Sequence, residues 1–236
     1  MYLILKIFLF CLLTYNSISK EEFKSNSKLE LLIEEYLLNN PEIIIKSLEN
    51  YRNKQEAKIE EESKYFINDY YDRKIYETLP YTGNTSAQIV VTEFIDYNCG
   101  YCKKTLKVIN ELLRRNNNIK VVFIDFPILS ETSYTAAKAA LAAFEQDAYF
   151  EFHTELLTGN RDFSKSFIID LAKKLKLDLK KFKEDMESSL ISEKLEKNIK
   201  FARDLSIKGT PSFIIKKKVH PGAYDLKKLE EIIKNN

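Results

Sequence analysis

Residues 89–103 read Ile-Val-Val-Thr-Glu-Phe-Ile-Asp-Tyr-Asn-Cys-Gly-Tyr-Cys-Lys, an apolar run followed by two cysteines with two residues between them. The run Ile89–Ile95 predicts a strand, and Lys103–Arg115 predicts a helix. Cys99 would then lie at a helix N-terminus, where backbone N–H groups and the helix dipole stabilise a thiolate. Cys102 follows one turn later, close enough to attack a mixed disulfide formed at Cys99. This arrangement predicts a reversible, two-electron exchange between dithiol and disulfide.

Two other roles are open to such a cysteine pair. A zinc site needs three or four ligands, and the chain offers one pair and two distant histidines, His153 and His220. A structural disulfide across so short a loop would contribute little loop-closure stabilisation. His153 lies in an aromatic helical run and is interpreted as a packed or half-exposed histidine rather than a catalytic one, whereas His220 falls in a hairpin turn without an evident role. The pattern favours redox chemistry, with no metal and no cofactor.

The charge balance argues against nucleic acid as a partner. The 236 residues include 37 Lys and Arg and 35 Asp and Glu, a net charge of only +2. A nucleic-acid-binding domain usually carries a strong basic excess. The lysine clusters are therefore interpreted as solvated helix faces.

Residues 1–19 have the pattern of an export signal. The apolar run Ile7–Leu13 precedes Ser17-Ile18-Ser19, which offers a small-x-small cleavage site. The run is shorter than the ~20 residues that span a bilayer, and an uncleaved membrane anchor is the alternative. Cleavage near Ser19 would remove Cys11 and leave only the Cys-x-x-Cys pair. An exported chain with a single close pair has no disulfide scaffold to maintain, which favours a catalytic pair.

Residues 20–78 are predicted to form an N-terminal helical extension. Residues 28–38 have helical apolar spacing, and Asn40 and Pro41 then end one helix and begin another. The second helix is expected to run from Glu42 to about Tyr76. Its middle is almost entirely polar, which is typical of a solvent-bridging stalk. The apolar residues ahead of it could form an oligomerisation face, or the first helix could pack on the catalytic domain.

Residues 79–236 are predicted to form the catalytic domain. A loop at Leu79–Asn84 marks the boundary, and a strand, a helix and a parallel strand then make a right-handed βαβ unit. A helical block follows at about 130–206. The remaining elements are the strand Ser212–Ile215, a short strand at Val219 and the closing helix Asp225–Lys234. This order resembles an α/β, thioredoxin-like fold with an inserted helical domain, preceded by an N-terminal helical stalk.

Two signatures carry a resemblance to a family. Residues 92–103 are similar to the active-site segment of DsbA-like periplasmic thiol:disulfide oxidoreductases, and Gly209–Phe213 resembles their cis-proline loop. Ile124–Leu129 and Pro221–Tyr224 also fall where that family's patterns place them, so the resemblance covers about Leu79 to the C-terminus. The segment 36–42 resembles a subgroup with an N-terminal helical extension that is sometimes used for oligomerisation.

The resemblance implies roles for individual residues. Cys99 would be the nucleophile, with a lowered pKa, and Cys102 the buried resolving thiol. Pro211 would be cis and would turn the Thr210 backbone toward Cys99, so that substrate pairs as an added strand. The substrate-binding positions would be Gly100, Tyr101, Thr210 and Pro211. Position alone would instead make Pro211 an ordinary loop proline before an edge strand.

Glu93 interrupts the apolar strand six positions before the first cysteine. An inward-facing carboxylate there could move protons for Cys102, whereas strand alternation could equally point it to solvent. Its neighbours on the same face, Val91 and Ile95, are apolar, so burial is plausible. Asp96, Tyr97 and Asn98 are expected to shape the following turn, with Asn98 or Asp96 capping the helix.

The expected function is a thiol:disulfide oxidoreductase of exported proteins, acting in the periplasm. Tyr101 lacks the charge of a His at this position, which predicts a less extreme redox potential, and oxidation is placed slightly ahead of isomerisation. The alternatives are an oligomeric disulfide isomerase and a redox-linked chaperone. The expected partners are unfolded exported proteins, a membrane protein that recycles the cysteine pair, and further copies of the chain.

Overall fold

A computed structural model describes residues 28–159 and 163–235 of the chain. The chain divides into two compact units between Ala57 and Lys58. The export-signal prediction for residues 1–19 lies outside the described residues. Within the described ranges, no helix combines the length and the apolar character that a bilayer crossing requires.

The first unit is helical. Helix α1 spans residues 28–39, and helix α2, Pro41–Asp72, begins in this unit and continues past the division. The break comes where the sequence predicts it: the Asn40 side-chain amide donates to the Tyr36 carbonyl at 2.7 Å, and Ile43 N–H donates to the Asn40 carbonyl at 3.1 Å. Large apolar side chains are exposed along both helices of this unit; they include Leu29, Leu31, Leu32, Ile33, Tyr36, Leu38, Ile44, Ile45, Leu48 and Tyr51.

The second half of α2 is part of the second unit. This differs from the expectation that the stalk extends to residue 78 and that the catalytic domain begins after it. Ser63, Ile67 and Tyr70 lie on one helical face and are buried. The Tyr70 hydroxyl bonds the Thr92 hydroxyl on the central strand at 2.8 Å, and its ring stacks on Phe201 at 5.1 Å. The overall composition of this segment is polar, but three residues at helical spacing suffice to anchor one face.

A five-stranded sheet in the order β1-β3-β2-β4-β5 forms the centre of the second unit. The strands are β1 Tyr81–Gly83, β2 Ile89–Ile95, β3 Ile119–Asp125, β4 Ser212–Ile215 and β5 Lys218–Pro221. Strands β2 and β3 run parallel, joined by helix α3, Gly100–Arg115, and the other pairs are antiparallel. The predicted βαβ unit and the closing hairpin are thus confirmed. Every residue of β3 is buried, as expected for a strand inside a sheet covered on both faces.

Strand β1 corrects the expectation of a plain loop at residues 79–84. Tyr81, Thr82 and Gly83 pair with Val122, Val121 and Lys120 of β3 in antiparallel register. Three residues are too few for a period-two pattern, so pairing with β3 decides the structure here rather than local propensity. Gly83 has φ +93°, and a Cβ there would lie 2.6 Å from the Ile119 carbonyl oxygen.

Five helices between β3 and β4 occupy the part of the chain where a helical insertion is expected. They are α4 Glu131–Phe144, α5 Tyr149–Thr158, α6 Lys165–Lys174, α7 Leu179–Glu187 and α8 Ser189–Asp204. Ser130, Ser164, Asp178 and Ser188 cap four of them through their side chains. Helix α9, Leu226–Asn235, closes the described chain.

Helix α3 is amphipathic, and this property sets the position of the second cysteine. Its buried residues, Cys102, Thr105, Leu106, Ile109 and Leu112, recur at helical spacing. Cys102 begins this buried stripe, so the packing of α3 holds the thiol inside the protein. Cys99, one turn earlier, is the residue from which the helix starts.

Candidate active site

The turn between β2 and α3 is built around the buried carboxylate of Asp96. One carboxylate oxygen accepts hydrogen bonds from Asn98 N–H at 2.7 Å and from the Ser133 hydroxyl at 2.7 Å. The other accepts from the backbone N–H groups of Ile128 and Leu129 at 2.8 and 3.0 Å. Asp96 thereby ties three segments together: the turn itself, the loop after β3 and the start of α4. Four donors satisfy a buried charge that would otherwise be costly.

The expected capping of α3 by Asp96 or Asn98 is wrong, although both residues do shape the turn. Cys99 is the N-cap residue, and no side chain caps the helix. The side-chain amide of Asn98 instead lies within 3.0 Å of three hydroxyls, those of Ser130, Thr132 and Ser133. The first N–H groups of α3 are consequently left for the Cys99 sulfur.

Cys99 is arranged to exist as a thiolate. Its pKa is lowered to about 5, foremost by the hydrogen bond from the Cys102 side chain. Burial opposes this effect, and hydrogen bonds from the Thr210 side chain and from the backbone N–H groups of Tyr101 and Cys102 add to it. As a thiol, Cys99 donates to the Thr210 carbonyl oxygen at 3.1 Å.

The surroundings of Cys102 have the opposite effect and favour its thiol form. Its side chain has no exposed surface, and burial, followed by the hydrogen bond to Cys99 and the nearby charge of Glu93, raises its pKa. Both cysteines are free thiols in this structure. A pair with one lowered and one raised pKa contains a ready nucleophile and a thiol that must lose a proton before it reacts.

The loop that faces Cys99 is supplied by the chain just before β4. The peptide bond between Thr210 and Pro211 is cis, as the resemblance implied. The Thr210 hydroxyl is buried and has no hydrogen-bond partner among the described protein groups, apart from its contribution at the Cys99 sulfur. This hydroxyl is therefore free to donate to a thiolate. Gly100 and Tyr101 lie on the outer side of the same site, and Tyr101 is 62% exposed.

The side chain of Glu93 is buried, which decides between the two orientations that the sequence left open. Only 2% of the residue is exposed, and burial, with a smaller effect of the Cys99 charge, raises its pKa to about 8. Its charge in turn acts on Cys102. A carboxyl group with this pKa can hold or release a proton near neutral pH.

A second buried acid, Asp125, was not singled out from the sequence. It ends β3 beside Ile95, on the same sheet face as Glu93, and its pKa is raised to about 7 by burial. Tyr149 donates to one of its oxygens at 3.0 Å, and the other oxygen has no hydrogen-bond partner among the described residues. The only signal in the sequence is an acid at the end of an otherwise apolar strand.

The two histidines lie where no catalytic role was expected. His153 is buried, its Nδ1 lies 3.3 Å from the Tyr97 hydroxyl, and burial lowers its pKa to about 3. His220 lies on β5, opposite Phe213. In the described ranges, no three side chains of His, Cys, Asp or Glu come together in a way that would hold a metal ion.

A family model described as Thioredoxin matches residues 76–235. The chain belongs to the thioredoxin family. A second model, described as the copper resistance protein ScsC N-terminal domain, matches residues 27–58. Within the thioredoxin family the chain is a DsbA-like member with an N-terminal helical extension, and the predicted fold class is confirmed.

Two solved structures agree with this placement in the thioredoxin family. The thiol-disulfide exchange protein alpha-DsbA2 from Wolbachia pipientis is 32% identical, with a TM-score of 0.67 over 75% of this chain and 96% of that chain. A linker-deletion variant of ScsC from Proteus mirabilis is 25% identical, with a TM-score of 0.67 over 89% of this chain and 93% of that chain.

Curated relatives of this thioredoxin-family chain differ in length. The Na(+)/H(+) antiporter NhaA 1 of Salinispora arenicola is 29% identical over 153 residues, which are 64% of this chain and 24% of the antiporter. The chain thus spans about a quarter of the length of this relative. The probable disulfide bond formation protein D of Bacillus anthracis is 28% identical over 153 residues, 59% of this chain and 70% of that protein.

Proposed function

We propose that the protein is a thiol–disulfide oxidoreductase that exchanges disulfides in exported proteins through Cys99 and Cys102. The observation that carries the proposal is the opposite pKa change of the two thiols, with Cys99 at about 5 and facing Thr210. Membership of the thioredoxin family and the likeness to a thiol-disulfide exchange protein support it. An export signal at residues 1–19 would bring the protein to the periplasm.

In the oxidising direction, a substrate thiolate attacks the Cys99 sulfur of the Cys99–Cys102 disulfide. That bond breaks, a mixed disulfide forms at Cys99, and Cys102 leaves with the electron pair and takes up a proton. The second substrate thiolate then attacks the mixed disulfide and releases Cys99 as a thiolate. Two electrons pass from the substrate dithiol to the enzyme, and a membrane partner would remove them.

Glu93 is assigned the proton transfer for Cys102. Cys102 has a raised pKa, so its thiol needs a nearby proton acceptor before it can attack, and its thiolate needs a proton donor when it leaves. Glu93 has a pKa of about 8 and acts electrostatically on Cys102. Thr210, Pro211, Gly100 and Tyr101 are proposed to bind the substrate beside Cys99.

A second candidate is disulfide isomerisation by an oligomer. Exposed apolar side chains along α1 and the start of α2, such as Leu32, Ile33 and Leu48, favour it because they could join several copies of the chain. An isomerase keeps Cys99 reduced, so that its thiolate attacks a wrong substrate disulfide and is later displaced by another substrate thiol. A holdase that binds unfolded chains without exchange is the remaining alternative.

The reduction potential of the Cys99–Cys102 pair tests the proposal. The protein is equilibrated in glutathione buffers, and its thiols are trapped and counted. A value around −120 mV marks a donor of disulfides, and a value near −200 mV or below favours isomerisation or reduction. Cys99→Ser should abolish exchange with a protein substrate. A pair that does not cycle, or a Cys99→Ser variant with full activity, would show that the protein is not an oxidoreductase.

A further inference from the structure

The surface around Cys99, here called the rim, is partly apolar. It is formed by Tyr101, Lys103, Lys104, Ile128, Leu129 and Lys208. Tyr101, Ile128 and Leu129 are 62%, 41% and 55% exposed. Ile128 and Leu129 border an open cleft of about 610 Å³, and the bonds from their backbone N–H groups to Asp96 hold them beside the catalytic turn. Apolar groups presented on a fixed loop next to a reactive thiol suit contact with an unfolded polypeptide.

The rest of the rim is basic, and its charge is not neutralised. Lys103, Lys104 and Lys208 form no ion pair among the described residues, whereas Lys181, Lys194 and Lys200 each pair with an acid. The Lys104 ammonium lies over the Tyr101 ring, 5.2 Å from its centroid.

The three lysines belong to the two segments that contact Cys99, the start of α3 and the Thr210 loop. Lys103 N–H bonds to the Cys99 carbonyl in the first turn of α3, and Lys104 follows it. Lys208 is two residues before Thr210, whose carbonyl accepts from Cys99. The low pKa of Cys99 arises mainly from hydrogen bonds rather than from these lysines. Their charges are thus available to a bound molecule.

The acids at this surface include Asp96 and Glu131. Asp96 is buried and accepts four hydrogen bonds. Glu131 is exposed in the first turn of α4, where a carboxylate interacts favourably with the helix dipole. Three lysines against one exposed carboxylate leave the rim with a net positive charge beside an apolar surface.

We propose that the rim selects cysteine-containing segments of unfolded proteins in which acidic and apolar residues flank the reactive thiols. This inference rests on the proposed function and names its substrate class. An extended segment that reaches Cys99 places its flanking residues within ~10 Å of the rim lysines, which is about the screening length at 0.1 M salt. In water, one pair of opposite charges at that distance changes an association constant by a factor of about two.

The redox state adjusts this attraction. In the oxidised enzyme both sulfurs are neutral, so the lysines act unopposed on an incoming dithiol. After exchange, Cys99 is a thiolate at neutral pH and cancels part of the positive field. The oxidised enzyme therefore binds acidic segments more tightly than the reduced enzyme does, which favours release of the product.

The test compares three dithiol peptides that differ only in the residues flanking the cysteines, which are Asp, Asn or Lys. Each peptide is oxidised by the enzyme disulfide, giving peptide disulfide and enzyme dithiol, and the second-order rate constant of this single exchange is measured at low and high salt. The variant Lys104→Glu/Lys208→Glu reverses the rim charge. Lys180→Glu/Lys183→Glu is the matched control, because these exposed lysines of α7 also lack ion pairs and α7 packs on other helices of the insertion.

At low salt the wild-type protein and the control should prefer the acidic over the basic peptide about fivefold, and high salt should remove the preference. The rim variant should reverse the order. Equal rates for the three peptides, or equal effects of the two double variants, would overturn the inference. Reduction of uncharged hydroxyethyl disulfide by the reduced protein is measured in parallel. Failure of this reaction would refute the proposed function, whereas its success with equal peptide rates would refute only the role of the rim.

Discussion

The Thr210 hydroxyl offers the sharpest test of how the protein stabilises the Cys99 thiolate. The perturbation is Thr210→Val, which replaces the hydroxyl by a methyl group of similar size. The hydroxyl has no other described partner, so the change removes one interaction and leaves the Thr210 carbonyl in place. Thr210→Ser keeps the hydroxyl and is the matched control.

The magnitude follows from the type of bond that is lost. A hydrogen bond to a charged group contributes about 1.5–3 kcal/mol. Cys99 keeps 7% of its surface exposed and is followed by the partly exposed Gly100, so water replaces part of a lost donor and the lower end applies. We therefore expect the pKa of Cys99 to rise from about 5 by about one unit, or ~1.4 kcal/mol. The reduced protein loses this stabilisation, so the reduction potential becomes more negative by ~30 mV.

The assay is the ultraviolet absorbance of the thiolate as a function of pH, combined with the glutathione equilibrium. In the oxidised protein Cys99 carries no charge, and a buried hydroxyl without a partner costs free energy, so oxidised Thr210→Val should fold with unchanged or slightly greater stability while the pKa of Cys99 in the reduced protein rises. Opposite signs for stability and thiolate formation separate this effect from a general loss of structure. An unchanged pKa in Thr210→Val, or an equal rise in Thr210→Ser, would refute the reasoning.

Three further outcomes are expected. In the wild-type protein, the rate of mixed-disulfide resolution, measured by quenched flow, should rise with pH around a midpoint near pH 8, and Glu93→Gln should abolish this rise. An unchanged pH profile in the variant would contradict the assigned role. Because the pKa of Asp125 is raised from 3.8 to about 7, the folded state holds this proton, and its contribution to stability is full below pH ~4 and is lost as the pH rises through about 7. Asp125→Asn should flatten this decline in urea denaturation across pH, and an identical decline in the variant would exclude Asp125 as its source. Gly83→Ala should lower the free energy of unfolding by about 2 kcal/mol or more, since the φ of Gly83 is +93° and the new Cβ meets the Ile119 carbonyl. Gly209→Ala is the control and should lower the free energy of unfolding far less, because nothing lies within 4 Å of its new Cβ. Equal losses in the two variants would contradict this account.

The sequence was sufficient to predict elements whose signals are local. The strand before Cys99 and the helix after it both follow from spacing and residue type. The family resemblance added the cis bond at Pro211, which position alone would have assigned to an ordinary loop.

What the sequence could not predict depends on contacts between distant segments. The capping expectation for Asp96 was wrong because its carboxylate bonds the loop at Ile128 and Leu129, 32 and 33 residues away. The orientation of Glu93 and the burial of Asp125 depend on helices that cover the sheet. The anchoring of α2 through Tyr70 depends on Thr92 and Phe201.

The contact between Cys99 and Thr210 joins residues 111 positions apart, on either side of the inserted helices. A partly folded chain that has formed only β2, α3 and β3 lacks the Thr210 loop and has not yet placed β4 beside β2. In that intermediate the Cys99 sulfur lacks the Thr210 donor and remains a more ordinary, slower-reacting thiol. Full reactivity is reached only when the last part of the sheet assembles. The rate at which Cys99 is alkylated during refolding therefore reports when assembly of the domain is complete.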